Sequence, residues 1–104
     1  MIIDILNSNY DEYVTNNKNF VILDFGATNC APCKILNNIL EEIDKQYENI
    51  TIGKINIEEN IDIAVKFGIM SVPAIVFIKD NKIIEKVNGL KDKQYIEKVI
   101  EKNK

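Results

Sequence analysis

The chain has 104 residues, of which 46 % are hydrophobic and 28 % charged, and its formal net charge is −3. This length and composition predict a single folded domain, residues 1–104, and exclude an intrinsically disordered chain. All 13 basic residues are lysines, so the sequence lacks both the basic excess and the arginines that are typical of nucleic-acid-binding surfaces.

The apolar runs are short, and the longest one that resembles a buried segment covers residues 74–78. No run approaches the length of a membrane span, and the first residues lack the basic and apolar regions of a signal peptide. We therefore expect a cytoplasmic protein without membrane association. In a reducing compartment, two cysteines indicate a catalytic or metal-binding role.

The N-terminal part of the chain alternates apolar runs with polar breaks. Residues 2–6 predict a first strand, and the helix-start residues 7–9 predict a short helix over residues 10–14. Residues 20–25 are apolar except for Asp24. This pattern is typical of a strand that is buried on both faces, in the middle of a sheet with helices above and below it.

A long helix is predicted to begin at Cys30, because apolar residues recur with helical spacing after it. Residues 50–57 are rich in isoleucine and predict a second central strand. A strand, a helix and a strand in this order imply parallel pairing through a right-handed crossover. Residues 60–67 predict a short helix, with Gly68 at the position of a left-handed C-cap.

The C-terminal part predicts an antiparallel hairpin and a last helix. Residues 74–78 and 83–87 are the strands, and Asp80 and Asn81 suit the two-residue turn between them. The last helix covers residues 92–102. The complete order βαβαβαββα predicts an α/β fold with a mixed sheet of about five strands and helices on both faces.

Cys30 and Cys33 are the only cysteines of the chain. If Cys30 is the N-cap of the helix, the two Cα atoms lie about 5 Å apart, which a disulfide tolerates. The Cys30 sulfur would then accept the Cys33 N–H, and the helix dipole would add positive potential. Both effects favour a thiolate and lower the pKa of Cys30 towards neutrality. Pro32 suits the first turn of the helix, and Cys33 should be the more buried and less reactive thiol.

Three other interpretations of the cysteine pair remain open at this point. A zinc site needs four ligands, and the chain has two thiolates and no histidine, so only a dimer could complete one. A permanent structural disulfide that closes so short a loop would stabilise the fold little. The cysteines could also be small core residues. The spacing at a helix start favours a reversible redox pair over all three.

Four segments follow one another along almost the whole chain: VILDFGATNCAPCK, GKINIEEN, KFGIMSVPAIVFIKDNK and KVNGL. In this order they resemble the active-site strand with its motif, the third strand, the proline loop with its hairpin, and the glycine turn of the thioredoxin family. The resemblance implies the thioredoxin fold and a thiol–disulfide oxidoreductase that reduces protein disulfides through a Cys30–Cys33 dithiol/disulfide cycle.

The resemblance also implies a role for individual residues. Cys30 is the attacking thiolate, Cys33 resolves the mixed disulfide, Asp24 is the buried acid beside them, and Lys54 is the strand lysine near that acid. It implies no metal and no bound cofactor besides the disulfide. The implied partners are disulfide-containing proteins and a thioredoxin reductase, a flavoprotein linked to NADPH or ferredoxin, with the chain acting as a monomer.

The substrate-contacting rim is implied in the same way. Pro73 faces the disulfide and follows Val72 through a cis bond, and Gly89 lies on the rim. The remaining rim residues lie beside the cysteines and are Asn29, Ala31 and Pro32.

Taken alone, these residues leave alternatives open. Burial should raise the pKa of Asp24 and make it a proton acceptor for Cys33, but Asp24 could instead cap a backbone group. Lys54 could be an ordinary solvated lysine, Gly89 an ordinary turn residue, and Pro73 alone predicts a trans bond.

Four positions depart from the usual pattern of the family. Asn29 replaces a tryptophan, Gly26 an aromatic residue, Ala31 a glycine and Ala74 a threonine. We therefore expect a less hydrophobic groove around Cys30. These departures leave open an alternative function, a dedicated module that serves one specific redox partner.

Overall fold

The computed structural model describes residues 1–104, and one five-stranded sheet organises all of them. The strands are β1 (Ile2–Asp4), β2 (Phe20–Gly26), β3 (Ile50–Asn56), β4 (Ala74–Lys79) and β5 (Lys82–Asn88). The helices are α1 (Ala31–Gln46), α2 (Ile61–Lys66) and α3 (Lys93–Asn103). The order of the strands in the sheet is β1-β3-β2-β4-β5. The predicted α/β fold is therefore confirmed, and β2 lies at the centre of the sheet.

The sheet is mixed, as the order of the elements predicts. Strand β3 pairs in parallel with both β1 and β2, whereas β4 pairs antiparallel with β2 and β5. Since parallel neighbours need a crossover connection, α1 carries the chain from β2 to β3. The first residues of α1 consequently lie at the C-terminal end of β2.

Both faces of the sheet are covered by apolar side chains. Alternating residues of β2 divide between two core clusters: Val21, Leu23 and Phe25 belong to one, and Phe20 and Ile22 to the other. The first cluster is completed by α2, and the second by α1 and α3. Because successive strand residues point to opposite faces, Asp24 faces the α1 side, as Ile22 does.

Turn chemistry at two places agrees with the predictions. Asp80 and Asn81 both have positive φ, 51° and 61°, as a type I′ hairpin turn requires. Gly68 has φ 66° just after α2, which matches the left-handed C-cap. The Lys86 ammonium donates to the carbonyl of Phe67 at 2.7 Å and so also caps this helix end.

Two predicted elements near the N-terminus were wrong in extent or type. Strand β1 ends at Asp4, because the Asn9 side chain accepts the Leu6 N–H at 2.8 Å and donates to the Asp4 carbonyl at 2.9 Å, which turns the chain. The helix predicted over residues 10–14 is a five-residue π-helical turn, Asp11–Thr15.

The end of this π-helical turn is set by a contact with the sheet. The Asn16 N–H reaches back to the Asp11 carbonyl at 2.8 Å, the wider spacing of a π-helix. Asn17 Nδ2 donates to the Tyr13 carbonyl and to the Thr51 hydroxyl of β3, both at 2.9 Å.

No helix in the structure combines the length and apolar character that crossing a bilayer requires.

Candidate active site

Cys30 and Cys33 form a disulfide at the start of α1, at the C-terminal end of the central strand. Their Cα atoms are 5.2 Å apart, as helix geometry predicts. Cys30 is the N-cap and has an extended backbone, and its sulfur accepts the Cys33 N–H at 3.3 Å. Pro32 lies in the first turn, and Cys33 is only 5 % exposed. The predicted geometry of the pair is confirmed in each of these respects.

The loop before Cys30 is held by residues that follow β3. The Thr28 N–H donates to a Glu58 carboxylate oxygen at 2.8 Å, and the Ile57 N–H donates to the Gly26 carbonyl at 2.9 Å. No local pattern in the sequence singles out Glu58 for this contact. Its one signal was position, because the C-terminal ends of parallel neighbours such as β2 and β3 meet at the same edge of a sheet.

Asn29, immediately before Cys30, has φ 58°. This left-handed conformation disfavours most residues, and asparagine is one of the few that adopt it readily. The structure therefore gives a conformational reason for asparagine at this position. It also leaves an exposed polar side chain beside the disulfide, in line with the predicted loss of hydrophobicity.

Asp24 is buried in the middle of β2, with 3 % of its surface exposed. Burial raises the pKa of its carboxyl from 3.8 to about 6, and the positive charge of Lys54 works in the opposite direction. Its Oδ1 atom has no hydrogen-bond partner, so the structure gives no support to the alternative that Asp24 caps a backbone group. The raised pKa confirms the direction that was predicted.

Lys54 lies beside Asp24 on the neighbouring strand. The two residues are partners in the parallel register of β2 with β3. Lys54 is partly exposed, and its positive charge lowers the pKa of the Asp24 carboxyl.

The proline loop comes together with the turn that follows β5. The Val72–Pro73 peptide bond is cis, as the resemblance implied. The Gly89 N–H donates to the Pro73 carbonyl at 2.8 Å, and Gly89 has φ 88°. The predicted rim positions Pro73 and Gly89, which are 16 positions apart in the sequence, are thus direct neighbours. Ala31 and Pro32 are exposed at the start of α1.

A cleft of about 380 Å³ opens beside the cysteines, and we call it the Gly26 cleft. Residues from three neighbouring strands and from α1 line it. The lining includes Asp4, Asp24, Gly26, Cys33, Lys54 and Glu59. No group of three or more Cys, Asp or Glu side chains in the structure is arranged to hold a metal ion.

Comparisons with known proteins agree with this geometry. The thioredoxin family model matches residues 1–102. A thioredoxin of Buchnera aphidicola subsp. Acyrthosiphon pisum is 38 % identical over 103 residues, which cover 98 % of this chain and 95 % of the relative. A thioredoxin of Chlamydia pneumoniae is 36 % identical over 103 residues, which cover 99 % of this chain and 99 % of the relative.

A solved structure gives the same result for the fold. A mutant thioredoxin from Halobacterium salinarum NRC-1 superposes with a TM-score of 0.89 at 29 % identity, covering 98 % of this chain and 89 % of that chain.

Proposed function

The chain belongs to the thioredoxin family and is a thiol–disulfide oxidoreductase, and from this membership we propose how its site divides the work of reducing a protein disulfide. Cys30 attacks a sulfur of the substrate and forms a mixed disulfide. Cys33 then attacks Cys30, which releases the reduced substrate and leaves the Cys30–Cys33 disulfide.

One observation carries this assignment of the two roles. The Cys30 sulfur accepts the Cys33 N–H at the N-terminus of α1, where negative charge is stabilised, whereas Cys33 is buried behind it. Cys30 is therefore the thiolate that meets a substrate. Cys33 reaches only the sulfur beside it.

We propose Asp24 as the group that takes the proton from Cys33. With its pKa raised to about 6, the carboxylate is a stronger base than an ordinary aspartate and still mostly ionised near neutral pH. Lys54 is a positioning residue in this proposal, since its charge limits how far burial raises the pKa of Asp24.

The proposed substrate rim combines the proline loop with the start of α1. The hydrogen bond between Gly89 and the Pro73 carbonyl supports treating the two as one surface. The proposed members of the rim are Asn29, Ala31, Pro32, Val72, Pro73 and Gly89. Nothing in the comparisons favours a module dedicated to one partner.

Electrons return from a thioredoxin reductase, and we propose a flavoprotein linked to NADPH or ferredoxin as that donor. The two sulfurs carry both electrons, so the proposed cycle uses no metal and no organic cofactor. We further propose one domain over residues 1–104, acting as a cytoplasmic monomer. A reductant of protein disulfides works in a compartment that keeps thiols reduced, which supports that location.

The test is a pair of serine variants with insulin as substrate. Cys33→Ser should accumulate a mixed disulfide with insulin through Cys30, because the resolving thiol is missing. Cys30→Ser should form no such adduct and should show no turnover. If Cys30→Ser formed the adduct and Cys33→Ser did not, the proposed roles would have to be exchanged.

A further inference from the structure

The proline loop, residues 69–73, is held at both ends from the same edge of the sheet. At its start, the Lys86 ammonium donates to the Phe67 carbonyl at 2.7 Å. At its end, the Gly89 N–H donates to the Pro73 carbonyl at 2.8 Å. Lys86 lies on β5 and Gly89 directly follows that strand, three positions later in the sequence. We call these two contacts the anchors of the loop.

Between the anchors, the loop has few bonds of its own. Residues 70–72 make no backbone hydrogen bond within the chain. The Ile69 N–H donates to the Ala64 carbonyl at 2.9 Å, whereas Met70 is 95 % exposed. The course of the loop therefore depends on where its two ends are held.

The Lys86 side chain reaches the loop from the face of the sheet that α2 covers. Lys86 and Val76 are partners in the antiparallel register of β5 with β4, and Val76 belongs to the core cluster that α2 completes. Partners in such a register point to the same face. A Cβ on Gly68 would lie 3.2 Å from the Lys86 nitrogen, so the missing side chain leaves room for the ammonium.

Phe67 connects this anchor to the strand that carries the active site. Its ring packs against the ring of Phe25 on β2, with the two centroids 5.6 Å apart. Its carbonyl accepts no backbone hydrogen bond, so the Lys86 ammonium is the partner that satisfies it. Loss of the ammonium would free this carbonyl at the point where the loop leaves the core.

From this geometry we propose that Lys86 is a positioning residue for the reduction of protein disulfides. It fixes the start of the proline loop and so places Val72 and Pro73 against a protein substrate. This inference rests on the substrate rim proposed above. It concerns only the contact with large substrates, so its failure would leave the roles of Cys30 and Cys33 unchanged.

The test compares a protein substrate with a small one. Reduced protein is mixed with insulin or with 2-hydroxyethyl disulfide, an uncharged molecule too small to span the rim, and the remaining thiols are counted after an acid quench. In Lys86→Met, the rate constant for insulin should fall about fivefold, the effect of one lost hydrogen bond. The rate constant for the small disulfide should not change. Since the ratio of the two constants does not depend on the fraction of folded protein, a loss of stability alone leaves it unaltered.

Two further variants serve as controls for the ratio of rate constants. Lys86→Arg keeps a charged donor and should retain most of the wild-type ratio. Lys82→Met removes a lysine charge from an exposed position of the same strand and should keep the wild-type ratio. A wild-type ratio in Lys86→Met, or an equal fall in Lys82→Met, would overturn the proposal.

Hydrogen exchange reports on the far end of the loop. The Gly89 N–H is bonded to the Pro73 carbonyl, so a loop that is free at its start should protect this amide less. In Lys86→Met, we expect Gly89 to exchange several-fold faster relative to the buried Leu23 of β2, which reports global unfolding. If exchange at Gly89 changed only in proportion to Leu23, Lys86 would cap α2 without positioning the loop.

Discussion

Asp24 on β2 and Lys54 on β3 are direct partners in the parallel pairing of these strands. Burial raises the pKa of the Asp24 carboxyl, the charge of Lys54 lowers it, and the outcome is a pKa of about 6. Burial alone would raise the pKa further, and the charge of Lys54 limits that rise. The register of two strands therefore sets the proton affinity of the group that we propose as the base for Cys33.

Asp24→Asn should stabilise the oxidised protein above about pH 6. Because its pKa is higher in the folded protein than in the unfolded chain, Asp24 contributes stability that is complete below pH 3.8 and is lost as the pH rises through about 6. The difference between the two pKa values corresponds to about 3 kcal/mol. We expect the variant to gain about 2–3 kcal/mol in urea unfolding at about pH 8, and little near pH 4.

The control for this prediction is Asp4→Asn, which makes the same change at an exposed position of β1. Its effect on the free energy of unfolding should stay within about 0.5 kcal/mol. A gain for Asp24→Asn that does not depend on pH would contradict the burial argument.

Lys54→Met should raise the pKa of Asp24 above about 6. The substitution removes the positive charge that opposes the effect of burial and keeps a side chain of similar length. The carbon-13 shift of the Asp24 carboxyl, followed as a function of pH, measures this directly. Lys45→Met, on the exposed face of α1, should leave the titration unchanged. If the pKa of Asp24 fell in Lys54→Met, the result would contradict the prediction.

Asn29→Ala should destabilise the protein by about 1 kcal/mol, because alanine tolerates a left-handed backbone less well than asparagine does. Asn29→Gly should be neutral or stabilising at the same φ of 58°. Asn38→Ala is the matched control. Asn38 lies within α1, where alanine is the better helix former, so the same change should not destabilise. Chemical denaturation of the three variants decides whether φ is the cause.

Lys86→Met should cost about 1 kcal/mol of the free energy of unfolding. The Lys86 ammonium caps the C-terminal end of α2 through the Phe67 carbonyl, just before the segment that leads to Pro73. Lys82→Met, an exposed position at the start of the same strand, is the control and should have little effect. Equal losses for the two variants would show that the capping contact contributes nothing.

The order of the elements and the geometry of the cysteine pair followed from local patterns. Apolar periodicity predicted every strand and the three α-helices, since a side chain's burial follows the period of its own element. A cysteine N-cap three residues before a second cysteine places the two sulfurs together, whatever surrounds them. The direction of the Asp24 pKa followed from a single acid in an apolar strand.

Contacts between distant segments escaped these patterns. The Asn9 side chain ends β1, and the Asn17 side chain joins the π-helical turn to Thr51 of β3. Glu58 holds Thr28 from another strand end. Each is one polar contact between segments, and no periodicity in the sequence marks it. The cis bond before Pro73 also had no local signal and was implied only by the family resemblance.

The sequence by itself determined that a cysteine pair would stand at the start of a helix after a buried strand, because spacing and periodicity are local properties. The tertiary structure decided what surrounds that pair. The Asp24–Lys54 register and the Gly26 cleft depend on which strands become neighbours and on which side chain is missing there. Burial and charge act through space, so only the packed sheet could place the Lys54 ammonium beside the buried Asp24 carboxyl.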